Sequence, residues 1–168
     1  LSSNWFADAV KSTYNVSPTE QVIQIRNDVD NFMEEFDDVL QHVEQIYWAG
    51  GEPIIMDEHW AIMNRLVELG KTDIRIFYNT NFTKLTYKKH NVLELWKNFD
   101  NISVGASLDA EGLRGEYQRK GTKWDDVVSN IELLKETSPE VDFYISATVS
   151  AYNAWHITDF HRSWVDKG

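Results

Sequence analysis

Apolar residues recur along this chain in two alternating rhythms. Val22, Ile25, Val29, Phe32, Phe36, Val39 and Val43 fall every three or four residues, the period of one helix face. Ser17-Pro18-Thr19-Glu20 opens that run with a cap, a proline suited to the first helical position and a closing acid. The pattern predicts a long amphipathic helix, with Asn27 to Asn31 the place where it would break. Ahead of it, Leu1 to Val16 are weakly periodic, and Trp5, Phe6, Ala9 and Val10 line the face of one short helix. Ile46 to Ala49 are instead a continuous apolar run of strand formers, read as a buried strand.

The same exchange of rhythms repeats. Asp57 is expected to cap a helix with Trp60, Met63, Leu66 and Val67 inward and Gly70 as its stop. Ile74 to Tyr78 form a second strand, and Tyr87 to Trp96 another helix. Ile102 to Leu108 form a third strand, and Ala110 to Gly121 are polar and loop-like. Thr122 with Asp125 opens a helix whose inner face is Val127, Val128, Ile131 and Leu134. Val141 to Ser150 make a fourth strand, and Ile157 to Val165 a last helix. Helices alternating with short buried strands predict an α/β fold of parallel strands joined by right-handed crossovers. Four such strands fit half a barrel or a small doubly wound sheet. No Pro- or Gly-rich linker divides the chain, so one domain is expected.

Composition narrows the function classes. The 168 residues are 42% hydrophobic and carry a net charge of -11, which argues against nucleic acid or an anionic membrane as partner. There is no cysteine, so the chain offers neither disulfides nor thiolate ligands. No signal-peptide pattern opens it, and a cytoplasmic location is expected. It starts at Leu1 without an initiator Met and stops just past a helical pattern, as expected of a segment of a longer protein.

Chemistry should collect where parallel strands end. The first strand ends in Gly50-Gly51-Glu52-Pro53. The glycines leave the backbone open to a ligand, and Pro53 stops the strand. Glu52 is expected as an exposed turn acid, where no core position requires a carboxylate. The second strand ends in Asn79, Thr80 and Asn81. The third gives Ser107 and Asp109, with Arg114 and Arg119 following, and the fourth gives Thr148, Ser150 and Asn153. Bare backbone, two acids, two cations and small polar groups suit a zwitterionic ligand that carries a ribose. Against this stands the plain reading that polar residues are common where strands meet loops. Other signals are weaker. His156 and His161 lack metal-pair spacing, Asp28-Val29-Asp30 falls in a helical pattern, and the tryptophans sit mostly on helical core faces.

Four of these segments resemble the radical S-adenosylmethionine (radical SAM) enzymes. Tyr47 to Pro53 is similar to that family's Gly-Gly-Glu-Pro motif, and Asn79 to Thr83 to its Thr-Asn-Gly-Thr segment. Ser107-Leu108-Asp109 resembles its Ser-Leu-Asp-Gly segment. Glu116 to Trp124 resembles a loop of the branch with a C-terminal SPASM or twitch domain. Phe82 and Ala110 stand where the family has glycine. The resemblance implies a partial (β/α)6 TIM-barrel-like core that binds S-adenosylmethionine beside a 4Fe-4S cluster. The cluster ligands would lie in a Cys-x3-Cys-x2-Cys loop upstream of this segment, together with the first strand. The implied cofactor-binding set is Gly50, Gly51, Glu52, Asn81, Ser107, Asp109, Arg119, Val149 and Asn153. Within it, Glu52 and the two glycines would hold the methionine ammonium, Ser107 the ribose and Arg119 the carboxylate, with Arg114 as substitute. Asn81 and Val149 would flank the cofactor, and Asn153 would shape its adenine end. Expected partners are an electron donor and a peptide or protein substrate. The alternative is a non-catalytic α/β module that binds a small ligand or a protein.

Overall fold

The computed structural model describes residues 36–167. The predicted helix over Leu1 to Val16, the Ser17 cap, most of the long amphipathic helix and Asp28-Val29-Asp30 lie outside the described residues. Residues 36–40 are the helical end of that long run, and Asp37 there forms a two-pronged ion pair with Arg65. Val39 does not face inward as its spacing suggests; it is 54% exposed, while Leu40 is buried.

Four strands form one parallel sheet: β1 (Gln45–Trp48), β2 (Arg75–Thr80), β5 (Asn101–Ala106) and β6 (Asp142–Ile145), in the order β1-β2-β5-β6. The protein is therefore an α/β structure, as its alternating rhythms predict. Spatial order follows chain order, so right-handed crossovers place every connecting helix on the same face. Burial agrees: Ile76, Tyr78 and Thr80 on β2 and Ile102, Val104 and Ala106 on β5 are buried, while Arg75, Phe77, Asn79, Asn101 and Ser103 are not. Helix α1 (Asp57–Glu68) and the short α2 (Val92–Trp96) pack on the buried face. Tyr78 meets His59 of α1 and Trp96 of α2 there. Among the described residues the opposite face is uncovered, and Tyr47 and Tyr144 stand on it 59% and 46% exposed.

His59 is sealed in the core among Trp48, Trp60 and Tyr78, with its Nε2 2.8 Å from the Tyr78 hydroxyl and its Nδ1 unpartnered. Burial lowers its pKa to about 3, because charging an imidazole here would strand a cation in an apolar pocket. Gly70 does end α1. At φ +67 it lets its own N–H reach Val67 O and the Lys71 N–H reach Leu66 O, the paired bonds of a Schellman stop.

Several local expectations are corrected. Asp57 does not cap α1; Met56 holds that position, and Asp57 lies in the first turn, where it pairs with Lys88. An acid there still complements the helix dipole. Tyr87 to Trp96 are not one helix. A hairpin of β3 (Thr86–Tyr87) and β4 (His90–Asn91) comes first, turning at Lys88-Lys89 with Lys88 at φ +53, and Asn91 then caps α2 through the Leu93 N–H. Ala110 to Gly121 are not all loop, because α3 (Gly112–Gln118) lies within them. Thr122 does not start the next helix; α4 (Trp124–Thr137) is capped by Glu116, whose carboxylate accepts the Trp124 N–H. The fourth strand ends at Ile145, so Val149 and Ser150 belong to a connection that leads to α5 (Ile157–Val165). No described helix is long and apolar enough to cross a membrane.

Candidate functional site

The C-terminal ends of the strands carry the candidate residues in two groups. In the first, β1 runs into Gly50 and Gly51, at φ +83 and +58. Both conformations are strained for residues with a Cβ, and nothing lies within 4 Å of where either Cβ would stand. The backbone there is bare and open. Pro53 then begins a single 3-10 turn, Pro53–Ile55, which the Trp60 indole holds by donating to Ile54 O.

Glu52 is not the exposed acid that its motif suggests. It is 9% exposed, and its carboxylate crosses to the end of β2. The Thr80 hydroxyl donates to Oε1 at 2.6 Å and the Asn81 N–H to Oε2 at 2.9 Å. Thr80 Oγ1 in turn accepts the Phe82 N–H. Burial pushes the Glu52 pKa up, against the lowering effect of donors from Thr80, Asn81 and Ile54. The carboxylate thus latches the ends of β1 and β2 together. Phe82 takes φ +56 in the position where the resembled family has glycine, and its ring is fully buried against Phe143. Asn81 turns its carbonyl back onto the Thr83 N–H and hydroxyl.

The second group lies at the ends of β5 and β6. Asp109 accepts the Thr148 N–H through Oδ1 and pairs with Arg119 through Oδ2 at 2.8 Å. Asn153 is buried beneath them. Its amide donates to Asp109 O and Thr148 O, and its carbonyl accepts the Ser150 N–H. These bonds pin the connection after β6 against the one after β5. Val149 points outward and is 63% exposed. Asp109, Tyr117, Gln118, Ser150 and Tyr152 line a cleft of about 350 Å³, with the two tyrosine rings edge to face at 6.1 Å. Arg114 lies apart from this cleft, on a smaller cavity of about 90 Å³ beside Glu111 and His156.

Ser107 sits between the groups. Its N–H donates to Thr80 O at 2.7 Å, and its hydroxyl donates to Asn79 Oδ1. The structure therefore brings Gly50, Gly51, Glu52 and Asn81 together, and separately Asp109, Arg119, Val149 and Asn153, with Ser107 linking them. Sequence reasoning named Asn79 and Thr80 only among the strand-end polar groups, without a role of their own, and singled out neither Tyr117 nor Tyr152. Alternation in β2 puts Thr80 on the face of Ile76 and Tyr78, which is the signal that could have marked it as buried.

The residues fit S-adenosylmethionine in part. Open backbone at Gly50 and Gly51 and the half-buried Ser107 suit it. Each oxygen of the Glu52 and Asp109 carboxylates already accepts one protein donor. The chain has no cysteine to ligate a 4Fe-4S cluster, and the described residues contain no His, Asp and Glu group that could hold a metal. No protein-family model and no curated protein matches the chain.

Proposed function

We propose that this chain is the central part of a (β/α)6 barrel of the radical SAM type, and that it binds S-adenosylmethionine at the C-terminal ends of its strands. One observation carries the reading. Two successive glycines in left-handed backbone end β1 with open space above them, at the strand edge where ligands of parallel α/β folds sit. A sheet in sequential order that, among the described residues, is covered on one face supports a barrel over a doubly wound sheet, whose order reverses and whose two faces are both covered. In this reading the backbone of Gly50 and Gly51 takes the ligand's ammonium, Ser107 its ribose and Arg119 its carboxylate. The bound cofactor would supply a 5′-deoxyadenosyl radical for hydrogen abstraction, from a peptide or protein in the branch that the sequence resembles. Its cluster would rest on ligands outside these 168 residues.

The internal engagement of Glu52 and Asp109 favours a second reading, a binding module without radical chemistry. The deciding experiment uses the full-length protein, reconstituted anaerobically with iron and sulfide. Cluster formation, calorimetric binding of S-adenosylmethionine and release of 5′-deoxyadenosine on reduction are the expected results. A full-length protein that takes up no cluster and binds no S-adenosylmethionine would leave the binding module as the function.

A further inference from the structure

Two aromatic side chains that the strand-end motifs do not use stand exposed beside the ends of β5 and β6. Tyr117 of α3 is 75% exposed, and Tyr152, in the connection after β6, is 67% exposed. Their rings meet edge to face, with centroids 6.1 Å apart and planes at 64°. Two rings at that angle open a V-shaped notch, and each keeps most of one face bare. Leu113, one helical turn before Tyr117, extends the same face of α3 and is also exposed. The notch is held in place from below. The Tyr152 N–H donates to Ser150 Oγ, and the Asn153 amide ties the connection to Asp109 O and Thr148 O.

Both rings border the cleft of about 350 Å³ at this rim, and its other lining sets the polar requirement. Gln118 lines the cleft, yet its Nε2 is shut off from solvent with no acceptor among the described residues. A buried donor without an acceptor is costly, so a ligand that brings an acceptor is favoured. Asp109 is the one charged side chain in the lining, and the chain carries a net charge of -11. Both disfavour an anion as the source of that acceptor, and two copies of so acidic a chain repel each other. The occupant that fits is neutral, rich in acceptors and apolar enough to cover two tyrosine faces. A proline-rich segment meets all three demands. Its rings are apolar, its carbonyls make no internal hydrogen bonds, and proline has no N–H to leave unmatched. The polyproline II form is preformed, so aromatic-lined grooves bind it at little cost in ordering.

We propose that the notch between Tyr117 and Tyr152 docks a proline-rich segment of a partner protein in polyproline II form, with Gln118 donating to one of its carbonyls. This docking does not depend on S-adenosylmethionine, whose proposed contacts include none of Tyr117, Gln118 and Tyr152.

The test is calorimetry on the full-length protein with a capped oligoproline of about nine residues, three turns of polyproline II, against a capped Gly-Ser peptide of the same length. The oligoproline should bind and the Gly-Ser peptide should not. Tyr117→Ala and Tyr152→Ala should each weaken binding about fivefold or more, without shifting the melting temperature, since both side chains are largely exposed. Gln118→Leu keeps the size and removes the donor; it should weaken binding about fivefold and leave the protein no less stable. Equal binding of the two peptides, no binding of oligoproline at millimolar concentration, or an affinity unchanged in Tyr117→Ala or in Gln118→Leu overturns the docking site. S-adenosylmethionine is titrated into the same proteins. Its failure to bind where oligoproline binds overturns the proposed function and upholds the docking site, and the reverse result overturns the docking site alone.

Discussion

Replacing Glu52 tests the latch between β1 and β2. Glu52→Ala removes the acceptor of two donors, the Thr80 hydroxyl and the Asn81 N–H, at a site only 9% exposed. An orphaned buried donor costs about 1–3 kcal/mol. Relief of the buried charge offsets part of that, so a net loss of about 2–4 kcal/mol is expected. In a domain of this size that lowers the melting temperature by about 5–15 °C. Glu52→Gln keeps the shape and one acceptor but sets an amide N–H against Thr80, whose oxygen already receives the Phe82 N–H. It should cost about 1 kcal/mol at neutral pH. The pH dependence separates the two effects. Burial holds the folded carboxyl above its ordinary value of 4.5, so the folded chain binds the proton more tightly than the unfolded one. The stability this gives is complete below about pH 4.5 and is lost as pH rises through the folded value. Glutamine does not titrate, so the wild type's advantage over Glu52→Gln should shrink from pH 4 to pH 8. Thermal melts of the three proteins across that range are the assay. Unchanged melting in Glu52→Ala would mean a solvated turn acid and no latch.

Other perturbations follow from the same geometry. His59 has a folded pKa of about 3 against an ordinary 6.5, so its contribution is present above pH 6.5 and lost as pH falls toward 3. At pH 5 that loss is about 2 kcal/mol, and His59→Phe should flatten the acid limb of a denaturation curve; an unchanged limb refutes it. Phe82→Gly relieves left-handed strain of about 1–2 kcal/mol but forfeits about 3–5 kcal/mol of buried ring, so urea titration should show a net loss; a gain would mean that strain dominates. Asp109→Asn keeps an acceptor for the Thr148 N–H and frees Arg119 from its pair. A partly exposed pair is worth about 1 kcal/mol or less, so S-adenosylmethionine should bind up to about fivefold more tightly, and weaker binding in calorimetry would refute Arg119 as the carboxylate partner. Among the described residues β1 is an edge strand paired only with β2; this segment alone should self-associate in light scattering, and a monodisperse monomer would refute that.

The four sheet strands were legible because short apolar runs of β-branched and aromatic residues flanked by helical rhythm have few other readings. Gly70 and the Ile157–Val165 helix were legible for a similar reason: stop signal and periodicity are local. What escaped was non-local or weakly patterned. Glu116 caps α4 from eight residues away, so no capping box marks the start. In α3 the apolar pair at i and i+4, Leu113 and Tyr117, is 85% and 75% exposed and gives no inward face to detect. The β3–β4 turn uses Lys88-Lys89 where Asn-Gly is the usual hairpin signal. The burial of Glu52 depends on Thr80 and Asn81, partners 28 and 29 residues on, and a Gly-Gly-Glu-Pro string read alone looks like surface.

That last difference changes the chemistry of the strand-end rim. Both acids that the sequence offered to a ligand's ammonium are occupied, Glu52 by Thr80 and Asn81 and Asp109 by Thr148 and Arg119. A zwitterion's carboxylate would share Arg119 with Asp109, and its ammonium would share these carboxylates with their protein donors or turn to backbone carbonyls at Gly50 and Gly51. What stands open on the rim and the uncovered face is mostly neutral: glycine backbone, Ser107, the free end of the Asn79 amide, and the tyrosines at 117, 144 and 152. A ligand bound there would be discriminated by shape and hydroxyl pattern more than by charge, since neutral hydrogen bonds cost most when they are left unmade. The net charge of -11 is thus a poor guide to this site, where the acids serve to fix the turns that present the neutral groups.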